Sequence, residues 1–506
     1  MLGACLLASA LLVVVYMLHF RARWAVARYE RQLLAAGETL AVGPLVPPPV
    51  LPENNGALLF SRAGLYWGSN TNVLNKNPPP AMQMVAAGKA MVGWAQPDVR
   101  TDGTNTWSEV EAALAQYGDS LDLVRDAVER PAFDFQLDYR QGFDLLLPHL
   151  AALKRATQLL TTDTLCDLHR GDAAAARTNI ESMLALVNAT SEERLPISQL
   201  VRIAMAAISM SATWELLQSP NLNEEQLAAI QRGWTELKFI QPARDALAMD
   251  RAINQLMLER MRNSSAQFRR VVSMGGSSPG GSSLAFGDMV DSVLHEVAAG
   301  TKEASWRLSS SYPDQLRTLK GYQALLDSFR SVESGQPFAL TIGRQQERLE
   351  QLGLRVKDED SYHRYDSSGL RSLFSDSVVA LSRVLNRVVG AEVARELTIT
   401  ALALKRYQLR HGQYPADLSA LAPEFLASVP RDPADGQPLR YRLKPDGTFL
   451  LYSIGEDGTD NGGDASPAGK AESLSWQRGR DLVWPCPATL EEVSTFQQKH
   501  ATKRGG

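Results

Sequence analysis

The side chains that most often carry chemistry are scattered. The seven histidines, His19, His149, His169, His295, His363, His411 and His500, form no HExxH pattern, and no two stand at a helical metal-ligand spacing. His295-Glu296 is an isolated pair of the kind a helix surface carries. There is no GxSxG elbow, no Walker-type loop and no GxGxxG behind a strand. The pairs Asp134/Asp138 and Glu109/Glu111 have the spacing of ordinary helix-surface carboxylates. Cys166 and Cys486 have no CxxC neighbour, which leaves zinc and redox chemistry unsupported and predicts two unpaired, buried thiols. The acidic, Gly-rich stretch Gly455–Asp464 is built of turn-forming residues, and its spacing does not fit an EF-hand. Trp67, Trp107, Trp214, Trp234 and Trp306 are expected in a helical core. No reaction follows from these residues, and the chain reads as non-enzymatic.

The elements that would position such residues come from a chain of 506 residues, long enough for two or three domains. It is 44% hydrophobic and 21% charged, so most of it can bury a core. The net charge is -4 and no dense Lys/Arg block occurs, which argues against a nucleic-acid partner.

Residues Leu2–Phe20 contain no Asp, Glu, Lys or Arg, and Arg21, Arg23 and Arg28 follow at once. That length is near the minimum for a membrane-spanning helix. The absence of a basic n-region and of a small-x-small cleavage site favours an uncleaved anchor over a signal peptide. Leu2-Gly3-Ala4-Cys5 resembles a lipobox, but the apolar run follows the cysteine instead of preceding it. The flanking arginines alone would put the rest of the chain in the cytoplasm.

Residues 21–40 read as a helix leaving the membrane, with Trp24, Ala27, Leu33 and Leu34 apolar. Pro44, Pro47, Pro48, Pro49 and Pro52 make a semi-rigid spacer. From about 107 to 270 the pattern is helical. Asp172 is an N-cap before Ala173, Ala176, Ile180, Met183, Leu184 and Val187 on one face. Ile197–Leu217 is apolar nearly all round, with Arg202 and Glu215 its charges, and reads as a buried bundle helix. Asn223 and Gln226 form a capping box before Leu227, Ile230, Trp234 and Leu237. A Gly/Ser-rich loop is expected near 274–284 and a polar stretch at 358–368. No fixed repeat period is found. The fold class is therefore mainly α: an N-terminal transmembrane helix (1–20), a juxtamembrane helix and spacer (21–56), a helical bundle or irregular solenoid (57–388), a small α+β module with an antiparallel hairpin (389–485) and a polar tail (486–506).

The module begins with a helix over about 391–410, stopped by Gly412 and Pro415. Leu439, Tyr441 and Leu443 alternate with Arg440 and Arg442 as a strand with one buried face. Pro445-Asp446-Gly447 turns the chain into a partner strand, Thr448–Ile454. Three groups of residues, Tyr407/Gly412/Tyr414/Pro415, then Pro430/Asp432/Pro433/Gly436/Pro438/Tyr441, then Tyr452/Ser453/Gly455/Asp457/Gly458, resemble the major pseudopilin of bacterial type II secretion systems. Asp481-Leu482-Val483-Trp484 is similar to that family's closing segment. The apolar N-terminal helix carries no acidic residue and stands some 370 residues from the module, so the resemblance implies a module reused in a different membrane protein. It also implies a calcium ion held by Asp457, Asp460 and Asp464, and an extracytoplasmic body on the bacterial cytoplasmic membrane. The resulting reading is a membrane-anchored scaffold with protein partners. A component of a secretion or pilus-like assembly and an extracytoplasmic hydrolase are its alternatives.

Overall fold

Long runs of helix-forming residues with an apolar face account for most of the chain, which a computed structural model describes at residues 2–64, 74, 78–99, 106–275, 301, 303–354, 374–467 and 479–504. Trp67, His295, Glu296, His363, the polar stretch 358–368 and nearly all of the Gly/Ser-rich loop lie outside the described residues.

Helix α1 (Leu2–Ala35) runs without interruption through both the apolar segment and the arginine-rich flank. Its C-terminal half docks. Val26 and Leu33 are buried with Leu319 in a small apolar cluster, and His19 Nδ1 lies 3.0 Å from the Leu308 carbonyl. The expected apolar set is corrected here: Trp24 and Leu34 stay exposed, at 60% and 56%, and it is Val26 that joins Leu33 in contact. A period of 3.6 puts 26 and 33 on one stripe, two turns apart, and leaves 24 on another. Among the large apolar residues before this region, Val13, Val14, Tyr16, Met17, Leu18 and Phe20 are exposed.

The spacer contains two 3₁₀ turns, Gly43–Leu45 and Pro52–Asn54, and leads into α2 (Gly56–Arg62). Helices α3 (Trp107–Ala115), α4 (Gly118–Val128), α5 (Pro148–His169), α6 (Ala173–Ala189), α7 (Pro196–Leu217), α8 (Glu224–Glu236), α9 (Ile240–Asn263) and α10 (Ser265–Gly275) follow. Local signals fix several of these ends. The Asp172 carboxylate accepts N–H bonds from Ala174 and Ala175, and the six apolar residues of α6 expected on one face are all buried. Asn223 and Gln226 form the reciprocal capping box, and Leu227, Ile230, Trp234 and Leu237 are buried behind it.

Helix α7 is apolar and long enough to cross a membrane, but more than half of its apolar window is buried, against α5, α6 and α9 among others. Its Arg202 is also buried. The guanidinium donates to the carbonyls of Val187 and Lys238, each at 2.6 Å, and stacks on Phe239. Two of its nitrogens are satisfied in this way, which offsets part of the cost of burying a cation, while Nη2 is buried without a partner among the described residues.

A turn of π-helix at Trp306–Ser310 opens α11 (Ser311–Glu333), which packs on α1 and α9. Then come α12 (Phe338–Gln351), α13 (Ser375–Leu381) and α14 (Val384–His411). Helix α14 ends at Gly412, whose φ of 79° is the left-handed conformation only glycine adopts cheaply. It packs on α7 and α8, and one apolar core cluster runs from Ala57 through α7 and α14 to Trp484. That cluster crosses residue 388, where the sequence pattern changes.

Among the described residues two small sheets complete the fold. Strands β1 (Gln83–Ala86) and β2 (Lys89–Met91) form an antiparallel hairpin early in the chain. In the second sheet β3 (Arg440–Leu443) pairs antiparallel with β4 (Phe449–Ser453), and β4 with β5 (Leu482–Val483). The chain then returns to the first sheet as β6 (Cys486–Pro487), parallel to β2, before α15 (Leu490–Arg504). The expected hairpin is present with a third strand added. In β3 the alternation is weaker than expected. Leu439 is buried, Leu443 is exposed, and Arg440 is half-buried because three aspartates hold it.

Candidate functional site

The acidic loop is organised by a residue outside it. Asp481 is fully buried and accepts N–H bonds from Asn461 at 3.3 Å, Gly463 at 2.7 Å and Asp464 at 3.2 Å. A second buried carboxylate, Asp432, receives the N–H groups of Ala434 and Ile454, the Ser453 hydroxyl and Arg440. Burial raises the Asp432 pKa. Arg440 also pairs with Asp435 and, at 3.5 Å, with Asp460.

The three expected calcium ligands are turned to local partners. Asp457 accepts the Thr459 N–H at 2.9 Å. Asp460 accepts the Gly462 N–H and the Tyr452 hydroxyl, and the Gly462 bond holds its pKa down. Asp464 accepts the Ser466 N–H and lies 3.5 Å from Arg480. Among the described residues no group of three His, Cys, Asp or Glu side chains is gathered as a metal would require. The positive charges beside these carboxylates are Arg440, at Asp460, and Arg480, at Asp464. Asp481 and Arg440 are the organisers that sequence reasoning missed. The Asp481-Leu482-Val483-Trp484 motif was the available signal for the first.

The remaining candidates have structural work. Glu109 closes a capping box on Thr106, and Glu111 pairs with Arg170. Asp134 and Asp138 each cap a local N–H, at Gln136 and Arg140. His149 is buried 2.6 Å from Glu193 and stacked on Phe135, and His169 is stacked on Trp107. Cys166 and Cys486 are both free, and burial pushes the Cys166 thiol up to about 12, out of reach of thiolate chemistry at neutral pH. Trp214, Trp234 and Trp306 are buried in the core.

A cavity of about 210 Å3 lies where α7 and α14 meet the second sheet and the returning chain. Leu217, Phe449 and Trp484 give it apolar walls, and Lys405, Tyr414 and Cys486 reach it as well. Tyr414 meets Phe449 edge-to-face, with centroids 4.9 Å apart. Burial lowers the Lys405 pKa and raises that of Tyr414, and no charged neighbour contributes to either shift. The sequence gives no sign of this cavity, because its walls come from segments up to 270 residues apart.

No protein-family model, curated protein or solved structure matches the chain. The functional reading therefore rests on the residues and their placement alone.

Proposed function

We propose that this chain is a single-pass, membrane-anchored scaffold of a bacterial cytoplasmic membrane, with an extracytoplasmic helical body that binds protein partners and a reused pseudopilin-like module at its C-terminal end. The observation that carries this reading is the division of α1. Its first part exposes Val13, Val14, Tyr16, Met17, Leu18 and Phe20, whereas its last part is held by the body through Val26 and Leu33. Residues 2–20 bear no charge, and as a helix they extend about 28 Å, close to the ~30 Å of a bilayer's hydrocarbon core. Exposed apolar side chains in water cost about 25 cal/mol per Å2, a cost that lipid removes. The order of long helix, turn and antiparallel sheet over α14 and β3–β5 supports the module reading.

Extraction of bacterial membranes tests the anchor. The full chain is expected to stay in the pellet through alkaline carbonate washing, and a chain lacking residues 1–20 is expected in the supernatant. Release of the full chain by carbonate would end the reading. Protease added to intact spheroplasts should cut the body, and protection there would reverse its side.

A further inference from the structure

We propose that the cavity between α7, α14 and the 482–487 segment is a binding site for a small carboxylate that carries one aromatic ring. The inference goes beyond the scaffold reading and does not depend on the anchor, since no residue of α1 lines the cavity.

Three donors point to an anion. Lys405 lines the cavity, half-buried, and among the described residues it makes no hydrogen bond or ion pair. The Tyr414 hydroxyl and the Trp484 indole N–H, on the same cavity, likewise have no hydrogen-bond partner among the described residues. Other polar atoms there are engaged. The Gln218 amide donates to the Trp214 carbonyl, and the Thr448 hydroxyl donates to Asp446. Among the described residues no carboxylate lines the cavity. A half-buried ammonium without a counter-ion gains from donating a charge-assisted hydrogen bond to a carboxylate.

The walls select the rest of the ligand. Phe449, Trp484, Leu217 and two prolines leave space for an apolar body. A dry cavity of about 150 Å3 accommodates benzene. The 210 Å3 here leaves room for a ring and a carboxylate. A free aryl acid and a peptide ending in phenylalanine present the same chemistry.

Calorimetry on the full chain in lipid nanodiscs tests this, with phenylacetate as probe. Saturable binding is expected, with the isosteric neutral phenylacetamide weaker by roughly tenfold or more, the equivalent of one such hydrogen bond. Lys405→Met should abolish the difference between the two probes, and Tyr414→Phe, which removes a donor that either probe's oxygen can accept from, should weaken both. Gly-Gly-Phe with a free carboxylate, compared with its amide, separates the sources. Tighter binding than phenylacetate assigns the site to a chain terminus, weaker binding to a free acid. Equal affinity for acid and amide, or no saturable heat for any probe on the folded wild-type chain, overturns the proposal. So does an unchanged preference in Lys405→Met.

Discussion

The Gly93 N–H donates to both carboxylate oxygens of Glu215, each at 3.0 Å, and the Met82 N–H adds a bond of 2.7 Å to Oε1. One buried acid on α7 thus fixes both flanks of the β1–β2 hairpin. Burial pushes the Glu215 pKa from 4.5 up to about 8, against N–H bonds that favour the anion. The folded protein then holds a proton that the unfolded chain releases near 4.5. This group's contribution to stability is greatest below pH 4.5 and falls as pH climbs toward about 8. Glu215→Gln is expected to flatten the melting temperature across that window, as measured by circular dichroism at a series of pH values. An unchanged slope would contradict the assignment.

Gly93 is required by space. A Cβ built there would lie 2.5 Å from the Pro80 carbonyl and 3.2 Å from Glu215 Oε1. Gly93→Ala should destabilise by about 1–3 kcal/mol, the usual range for overpacking. Urea titration checks it, and a variant as stable as the wild type would show that the hairpin yields.

Glu38 anchors the end of α1. Its carboxylate receives Arg251 at 2.7 Å, Arg330 at 2.6 Å and Gln323 at 3.0 Å. Burial works upward on its pKa, but the bonds to Arg330, Arg251 and Gln323 outweigh it and hold the value at about 2. The stabilisation is complete above 4.5 and is lost as pH falls toward 2. Glu38→Ala removes the carboxylate paired with the fully buried Arg251, which keeps its bonds to Gln323 and the Thr39 carbonyl, and should cost about 3–5 kcal/mol. Limited proteolysis near residues 36–42 should quicken in the variant.

Asp481→Ala removes the acceptor of three loop N–H groups, worth about 1.5–3 kcal/mol for a bond to a charged group. Hydrogen exchange at 461–464 should accelerate while α5–α8 are unchanged. Equal exchange would mean that the loop is held by other bonds.

Calcium is expected to give no saturable heat and no rise in melting temperature, because Asp460 is held by Arg440, Tyr452 and Gly462. A rise that disappears in Asp460→Ala would show that the loop rearranges around the ion.

Signals that act within a few residues were legible. Asp172 and the Asn223/Gln226 pair mark helix starts, Gly412 marks a stop and Pro445-Asp446-Gly447 marks a turn, because each bonds to backbone three or four residues away. The burial of α7 was readable from its all-round apolar surface. By itself the sequence determined a mainly helical chain, several of its helix ends and an uncharged N-terminal segment. Only the tertiary structure decided the rest. It turned Arg202 onto two distant carbonyls, set Glu215 against a hairpin more than 120 residues earlier and gave Arg440 to Asp460. It also returned Cys486 to pair with Lys89, and closed a cavity around Lys405, Tyr414 and Trp484. Such contacts form only when the packed core brings distant segments together, and a side chain's type does not say which carbonyl or N–H that packing will present to it.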